Sequence, residues 1–549
     1  MRSSTLVLGT LLLWLVVGCS SSSHSNGDAA QASDVDVQET TEDVHDATSD
    51  LTNPSGDTSA DSQRPPDTTP TTYPGFLPID CKHVGNGTDY PVGPEQAYKT
   101  LSEVPWNTLG PGDTVRLFWR AEPYREKVLL RGKGTKEQPI RFCGVPGPEG
   151  QLPVISGDGA TTRQDLLFGG WRPIEDLGLI TIWDNEWESK PANIVIEGLA
   201  LTQASQNYAY TGTDGVVGPY SEGAACIWVQ EGDNVVIRGN TITDCGNGIF
   251  TMSKPDNEGA LTRDILIEGN YLYNNGTVGS YLQHNLYVQA VGAIYQYNYF
   301  GRNRPGAEGG NLKDRSAGTI VRYNYFEGGL RQLDLVEVQE HAPLVIGVPG
   351  TEERYRKAYV YGNLIRVVGS LDGSRIIHYG FDSIPENTRK GTLYCFNNTI
   401  LMQSDQSDSW RQRVLDISTN EETVEFFNNI VLIMPETAGQ TPSELNLLAE
   451  AGVVNLGANL ISKGYIEGFN TNGTLNGEEN LIEIADPSSV IDPKTLAPVP
   501  GSPALDASIP LPDTLSEHPL LYQYKERQQG ELRPTCGSAL DFGALERCP

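Results

Sequence analysis

From about residue 190 the chain repeats one hydrophobic pattern. A run of alternating β-branched and polar residues ends in a glycine or an aromatic, then an asparagine, then a further apolar pair. It reads Arg238-Gly239-Asn240-Thr241-Ile242 and Glu268-Gly269-Asn270-Tyr271-Leu272, then Tyr297-Asn298-Tyr299-Phe300 and Tyr323-Asn324-Tyr325-Phe326. It continues at Asn363, Asn398, Asn429 and Asn459, and Ile196-Glu197-Gly198-Leu199-Ala200 is a degenerate first copy. From Asn240 the spacings are 30, 28, 26, 39, 35, 31 and 30 residues. Short period-two strands at this interval predict the coils of a solenoid, with the longer insertions on its rim. The asparagine is expected at the bend between strands, in the left-handed conformation it tolerates better than most residues. On successive coils such amides can bond one another as a ladder.

A second strand recurs about halfway round each coil. It reads Ala225-Cys226-Ile227-Trp228, Gly248-Ile249-Phe250, His284-Asn285-Leu286-Tyr287, Asn311-Leu312-Lys313-Asp314-Arg315, Leu335-Val336-Glu337 and Ile376-Ile377-His378. With Ile227, Ile249, Leu286, Leu312, Val336 and Ile377 inward, strand alternation turns their successors outward. One outward row is then Trp228, Phe250, Tyr287, Lys313, Glu337 and His378, and a second is Gln230, Met252, Gln289, Arg315 and Gln339. Asp314 faces inward and needs a partner, and alternation turns His284 inward as well. Ahead of the repeats, residues 94–104 read as a short helix with Ala97, Leu101 and Val104 on one face. A helix with two or three short strands suits the cap that an open repeat array requires.

Composition adds compartments. The 549 residues carry a formal net charge of −31, so nucleic acid is excluded as a partner for want of a basic face. Residues 1–18 read as a signal, with Arg2 ahead of a short apolar run and Val16-Val17-Gly18-Cys19 at its end. This resembles the bacterial lipoprotein signal, which implies a lipidated Cys19, a membrane anchor and an exported protein at the outer membrane or cell surface. Residues 19–75 form a linker rich in Ser, Thr, Asp and Pro, with eleven acids between Asp28 and Asp67 against Arg64 alone. Such a segment buries too little to fold and repels itself. Residues 76–160 then read as cap and first coils, 161–500 as repeats, and 501–549 as a closing coil. The other seven cysteines suit an oxidising compartment, with Cys81–Cys143, Cys226–Cys245 and Cys536–Cys548 as the expected pairs and Cys395 left over.

The chain from about residue 85 resembles the pectate-lyase-like superfamily. The opening Gly112-Asp113-Thr114-Val115 … Tyr124-Arg125-Glu126 is similar to openings of that group. The ending Gly501-Ser502-Pro503-Ala504-Leu505-Asp506 … Asp541-Phe542-Gly543-Ala544-Leu545-Glu546 is similar to the final coil of many bacterial surface β-helices. The resemblance implies an all-β, right-handed parallel β-helix. It leaves activity open, because lyases, hydrolases, epimerases, adhesins and spikes share that fold.

Candidate chemistry gathers around residue 313. Between positions 302 and 331 lie Arg302, Arg304, Lys313, Arg315, Arg322 and Arg331 against Glu308, Asp314 and Glu327, a basic patch on an acidic protein. That patch suits an acidic polysaccharide, with Lys and Arg neutralising uronate carboxylates and aromatic faces lying under sugar rings. β-Elimination requires a base for the C5 proton, positive charge to acidify it and a donor for the leaving oxygen. Lys313, crowded by Arg315, is the candidate base, and Tyr287 or His284 the donor. Trp228, Phe250, Arg302, Arg304, Glu337 and His378 are the candidate binding residues. Lyases of the chondroitinase B and alginate-lyase type, on this same fold, use a Lys and an Arg, often with Ca²⁺. The resemblance is partial: here both cations share one strand, and Glu308, Glu337 or Asp334 would have to hold the calcium. The calcium aspartates of pectate lyases and the paired aspartates of polygalacturonases are absent. Three readings stay open: a surface lyase, a carbohydrate-binding adhesin, and a structural envelope protein whose aromatic row lies under the 340–357 and 381–390 insertions.

Overall fold

The computed structural model describes residues 79–169, 174–184, 189–369, 375–407, 412–525 and 528–548. The expected signal, the Cys19 anchor and the whole of the acidic linker lie outside these residues. Among the described residues, three parallel sheets of 13, 11 and 11 strands run the length of the repeats. Each coil gives one strand to each sheet, which is the parallel β-helix. One coil comprises Val291–Gln296, Tyr299–Phe300 and Leu312–Asp314. The next comprises Ala317–Arg322, Tyr325–Glu327 and Arg331–Leu335. Lys357–Tyr361, Leu364–Val368 and Arg375–Tyr379 follow.

The corner between the first and second sheets is where the repeat is pinned. Asn240, Asn270, Asn298, Asn324, Asn363, Asn398, Asn429 and Asn459 are all at most 1% exposed. Each of the first seven donates both its backbone N–H and its Nδ2 to the Oδ1 of the next, at 2.9–3.0 Å. The left-handed conformation, however, belongs to the residue before the asparagine. Gly239, Gly269, Tyr297, Tyr323, Gly362, Asn397 and Asn428 have φ between 49° and 65°. The bend is made one position early, so that the asparagine side chain turns inward and reaches its neighbour.

That placement sends the bend residues outward, where they serve as a docking surface. Tyr297 and Tyr323 at two bends, with Tyr361, Phe396 and Phe427 at the strand ends just before three later bends, form one apolar cluster with Leu515 and Leu520 of the C-terminal segment. Tyr323 Oη donates to the Pro519 carbonyl at 3.2 Å. The same closing segment carries the Cys536–Cys548 disulfide and the buried Arg533–Glu546 pair. Cys81–Cys143 and Cys226–Cys245 are also formed, and Cys395 is free and buried.

Two expectations need correction. Residues 94–104 form no α-helix. Tyr98 folds back to bridge Val92, and only the 3₁₀ turns Leu101–Glu103 and Trp106–Thr108 remain. Pro105 holds Val104 extended and stops the helix there. The register of the third sheet also differs after Lys313. Leu312, Lys313 and Asp314 lie against Leu333, Asp334 and Leu335, not against Val336 and Glu337. Both frames put apolar residues inward, and a second polar stack decides between them. Asn275, Asn285 and Asn311 bond in line, and Asn311 Nδ2 ends the line on Gln332 Oε1 at 2.8 Å. The asparagine repeat is carried on by a glutamine, which hides the frame.

Replacing Asn324 with leucine leaves the buried Asn298 N–H without an acceptor. We expect a loss of about 3 kcal/mol in urea unfolding, with Asn429→Leu behaving alike.

Candidate functional site

The outer face of the third sheet carries one continuous row. In register it runs Trp228, Phe250, Tyr287, Lys313, Asp334, His378 and Asp416. Its upper half is aromatic and closed. The Trp228 and Phe250 rings stack at 4.2 Å, and Phe250 lies 4.7 Å from Tyr287. Trp228 is only 4% exposed, and its Nε1 donates to Gln230 Oε1 at 2.8 Å. It is a packed ring rather than an open sugar platform.

The lower half is a dense charge cluster. Lys313 Nζ contacts Asp334 Oδ2 at 2.6 Å and also Asp382 Oδ2. Arg315 contacts Asp382 Oδ1 at 2.5 Å and Glu337 Oε2 at 3.0 Å, and its Nε donates to Tyr287 Oη at 3.0 Å. Tyr287 Oη in turn donates to Gln339 Oε1 at 3.1 Å. The Lys313 and Arg315 side chains are 8% and 3% exposed, against 24% for Asp382. Two cations are thus enclosed by three carboxylates, and Asp382 bridges both cations from outside. The crowding of Lys313 by Arg315 expected from their spacing is relieved by Asp382 between them.

The acids are held ionised by this company. Burial works against the Asp334 carboxylate, but Lys313 and then His378 outweigh it and keep its pKa well below the usual range. Asp382 is held low in the same way, against burial, by Lys313 and Arg315. Tyr287 is pushed up by burial, so it keeps its proton.

Glu337 is not in the row; it anchors the covering loop. Its Oε1 accepts from Ser383 N, Ser383 Oγ and Ile384 N at 3.1, 2.7 and 2.8 Å, and its Oε2 from Asp382 N at 2.9 Å. Asp314 faces inward as alternation requires. Its partners are Tyr295 Oη at 2.6 Å, Thr319 Oγ1 at 2.5 Å and the fully buried Arg389 at 3.0 Å. The Arg389 guanidinium also lies over Tyr355 and Tyr379, so the 381–390 segment is fastened at both ends.

His284 is buried but on the cluster side, its ring 5.7 Å from that of Tyr287. The strand proper starts at Leu286, so alternation does not reach back to residue 284. Its Nδ1 accepts from Gly310 N–H at 2.8 Å, which leaves the proton on Nε2. Burial, with Lys313 second, lowers this imidazole to about 3 and keeps it neutral. His378 bonds Asp334 Oδ1 through Nδ1 at 2.6 Å and Ser418 Oγ through Nε2 at 3.1 Å. Arg304 pairs with Asp244 at 2.7 Å, away from this row. Arg302 is exposed and packs beside Gly328.

So the structure brings together Tyr287, His284, Lys313, Arg315 and Glu337, and His378 through Asp334. It leaves Arg302 and Arg304 elsewhere and packs Trp228 away. Asp382 and Ser418 carried no sequence signal, since one lies in an insertion and the other just past a strand end. Of the three acids named for calcium, two are already taken. Asp334 and Glu337 already have both oxygens engaged by cations or N–H and O–H donors, and no group of three or more acidic, His or Cys side chains among the described residues is arranged to hold a metal.

The fold is a right-handed parallel β-helix, the architecture of the pectate-lyase-like superfamily. The family described as "Right handed beta helix region" matches residues 179–326. No curated protein matches the chain. Among solved structures, pectate lyase Pel9A is 9% identical with a TM-score of 0.36, covering 84% of this chain and 96% of that one. A mannuronic acid-specific family 6 polysaccharide lyase from human gut microbiota is 12% identical, with a TM-score of 0.33 and coverage of 72% and 83%. A lacto-N-biosidase from Eubacterium ramulus is 11% identical, with a TM-score of 0.33 and coverage of 72% and 68%. At these values none of them speaks to reaction or substrate.

One further buried group flanks the cluster. His341, fully buried under the 336–356 insertion, sits beside the Arg315 backbone without a well-formed hydrogen bond. Burial lowers it to about 4. An unfolded histidine protonates near 6.5, so the folded state is the proton-poor one between those values, and stability is lost as pH falls from 6.5 to about 4. The parent should therefore lose about 1.4 kcal/mol per pH unit relative to His341→Leu over that window. Urea midpoints taken at successive pH values measure the difference, and parallel curves would refute it.

Proposed function

We propose that this protein binds an acidic polysaccharide at the Tyr287–Lys313–Arg315 cluster and cleaves it by β-elimination. We also propose that it does so at the bacterial surface, on an acyl anchor at Cys19. The observation that supports this reading is Asp382. Its carboxylate bridges a lysine and an arginine on the outer face of a β-helix, the pairing that a uronate carboxylate would take. Asp382 is the most exposed member of the group and belongs to a loop rather than to a coil.

In this reading the sugar carboxylate replaces Asp382 on Arg315, which acidifies the C5 proton. Lys313, released from Asp382, loses a proton to solvent and, as the neutral amine, takes the C5 proton. The C4–O bond breaks as the double bond forms, and the half-buried Tyr287 hydroxyl protonates the leaving oxygen. A second reading, binding without cleavage, is favoured by the two carboxylates that already occupy Lys313 Nζ.

The test is the ultraviolet absorbance of the unsaturated uronate product. Full-length protein is mixed with a panel of uronic-acid polymers. The parent should give a rising signal on one of them, Lys313→Ala should lower the rate by at least ~100-fold, and Asp382→Ala should tighten polymer binding. A flat trace with retained binding selects the second reading. Neither signal nor binding on any uronate polymer refutes both.

A further inference from the structure

A second chemical arrangement lies next to this cluster and does not depend on its function. Asp334 Oδ1 meets His378 Nδ1 at 2.6 Å, and His378 Nε2 meets Ser418 Oγ at 3.1 Å. The acid is on one ring nitrogen and the hydroxyl on the other, which is the connectivity of a serine nucleophile, its general base and the carboxylate that orients that base. The three residues come from three successive coils. Asp334 and His378 are cross-strand neighbours in register, and Ser418 immediately follows the strand Gln412–Ile417 of the next coil.

The surroundings suit this use. Asp334 is 1% exposed and ionised, with Lys313 on its other oxygen, so its lone pairs toward His378 have a fixed direction. His378 is 7% exposed, and Ser418 is partly open to solvent. The turn at residues 380–382 wraps the hydroxyl. Phe381 N–H donates to Ser418 Oγ at 2.9 Å, and the Phe381 carbonyl lies 2.9 Å from the same oxygen. The Ser418 proton thus has two acceptors at similar range, Phe381 O and His378 Nε2. Gly380, at φ 134°, permits this closeness: a Cβ there would lie 2.6 Å from Ser418 Oγ. A merely structural serine needs only the Phe381 bonds. It does not account for an imidazole clamped between it and a buried carboxylate.

We infer that Asp334, His378 and Ser418 form a nucleophilic site for hydrolysis of small acyl esters. Ser418 Oγ attacks the ester carbonyl carbon while its proton passes to His378 Nε2. The carbonyl–alkoxy bond breaks, the alcohol leaves with that proton, and the acyl group stays on Ser418. Water then attacks the acyl carbon, again losing its proton to His378. The proton returns to Ser418 Oγ as the carboxylic acid departs. Asp334 is the positioning residue that keeps the ring proton on Nδ1, and Phe381 N–H holds the attacking oxygen in place.

Full-length protein treated with a fluorophosphonate tests this directly. We expect one adduct per chain, mapped by peptide mass spectrometry to Ser418, and a p-nitrophenol burst of the same stoichiometry from p-nitrophenyl acetate. His378→Asn, verified as folded by its thermal transition, should label at least ~100-fold more slowly. Absence of a Ser418 adduct on the folded parent overturns the inference without need of any variant. An adduct that forms at an unchanged rate in His378→Asn overturns it equally, because the serine would then be reactive without its base.

Discussion

The structure depends on how a corner can be turned inside a dry solenoid. At every bend the backbone must leave one sheet and enter the next, and the N–H groups there face the interior. Burying them unpaired would cost on the order of 1–3 kcal/mol each. The amide ladder answers this with a side chain that accepts from the asparagine of the preceding coil and donates to that of the following one, from Asn240 to Asn459. One residue earlier the chain takes a left-handed step, even where that residue is tyrosine, as at Tyr297 and Tyr323. A bulky residue in that region is strained, and the strain persists because the ladder holds one side and the C-terminal segment packs on the other. The closing segment is therefore part of the repeat's stability rather than an appendage.

The ladder also explains what was legible in the sequence and what was not. Asparagines at a regular interval announce coils, strands and the inward column, and the cysteine pairs expected, Cys81–Cys143, Cys226–Cys245 and Cys536–Cys548, are the ones formed. The conformation of the bend was misplaced by one residue, because a preference of asparagine for left-handed backbone and a need for its amide look alike in one letter. The frame at 331–338 failed for a related reason: Gln332 stands where asparagine was expected, and both frames bury aliphatic residues. Lys313, Arg315 and Tyr287 were placed together because alternation is local. Asp382 and Arg389 were out of reach, because an insertion's return path depends on tertiary bonds such as those to Glu337 and Asp314.

Charge burial on this face has to be explained by something other than stability. Lys313, Arg315, Asp334 and Glu337 are all nearly withdrawn from water, and withdrawing ions costs several kcal/mol each before pairing returns it. Apolar residues in the same row, as at Trp228 and Phe250, close the surface at no such cost. The protein keeps both solutions side by side on one sheet. The change from rings to ions falls at Tyr287, whose ring packs at a tilt against Phe250 and whose hydroxyl takes the Arg315 N–H.

Asp334 is where the two halves of the ionic region meet. One of its oxygens holds Lys313 and the other holds His378. Any event that frees Lys313 also changes the field on the imidazole, and any proton gained by His378 strengthens the pull on the shared carboxylate against Lys313. The coupling needs no moving domain, because the three side chains sit on adjacent strands of a sheet whose register is fixed by the amide stacks on its inner side. The sequence constraint that builds the fold, one polar residue per coil turned inward, thereby also sets the spacing of the charges outside.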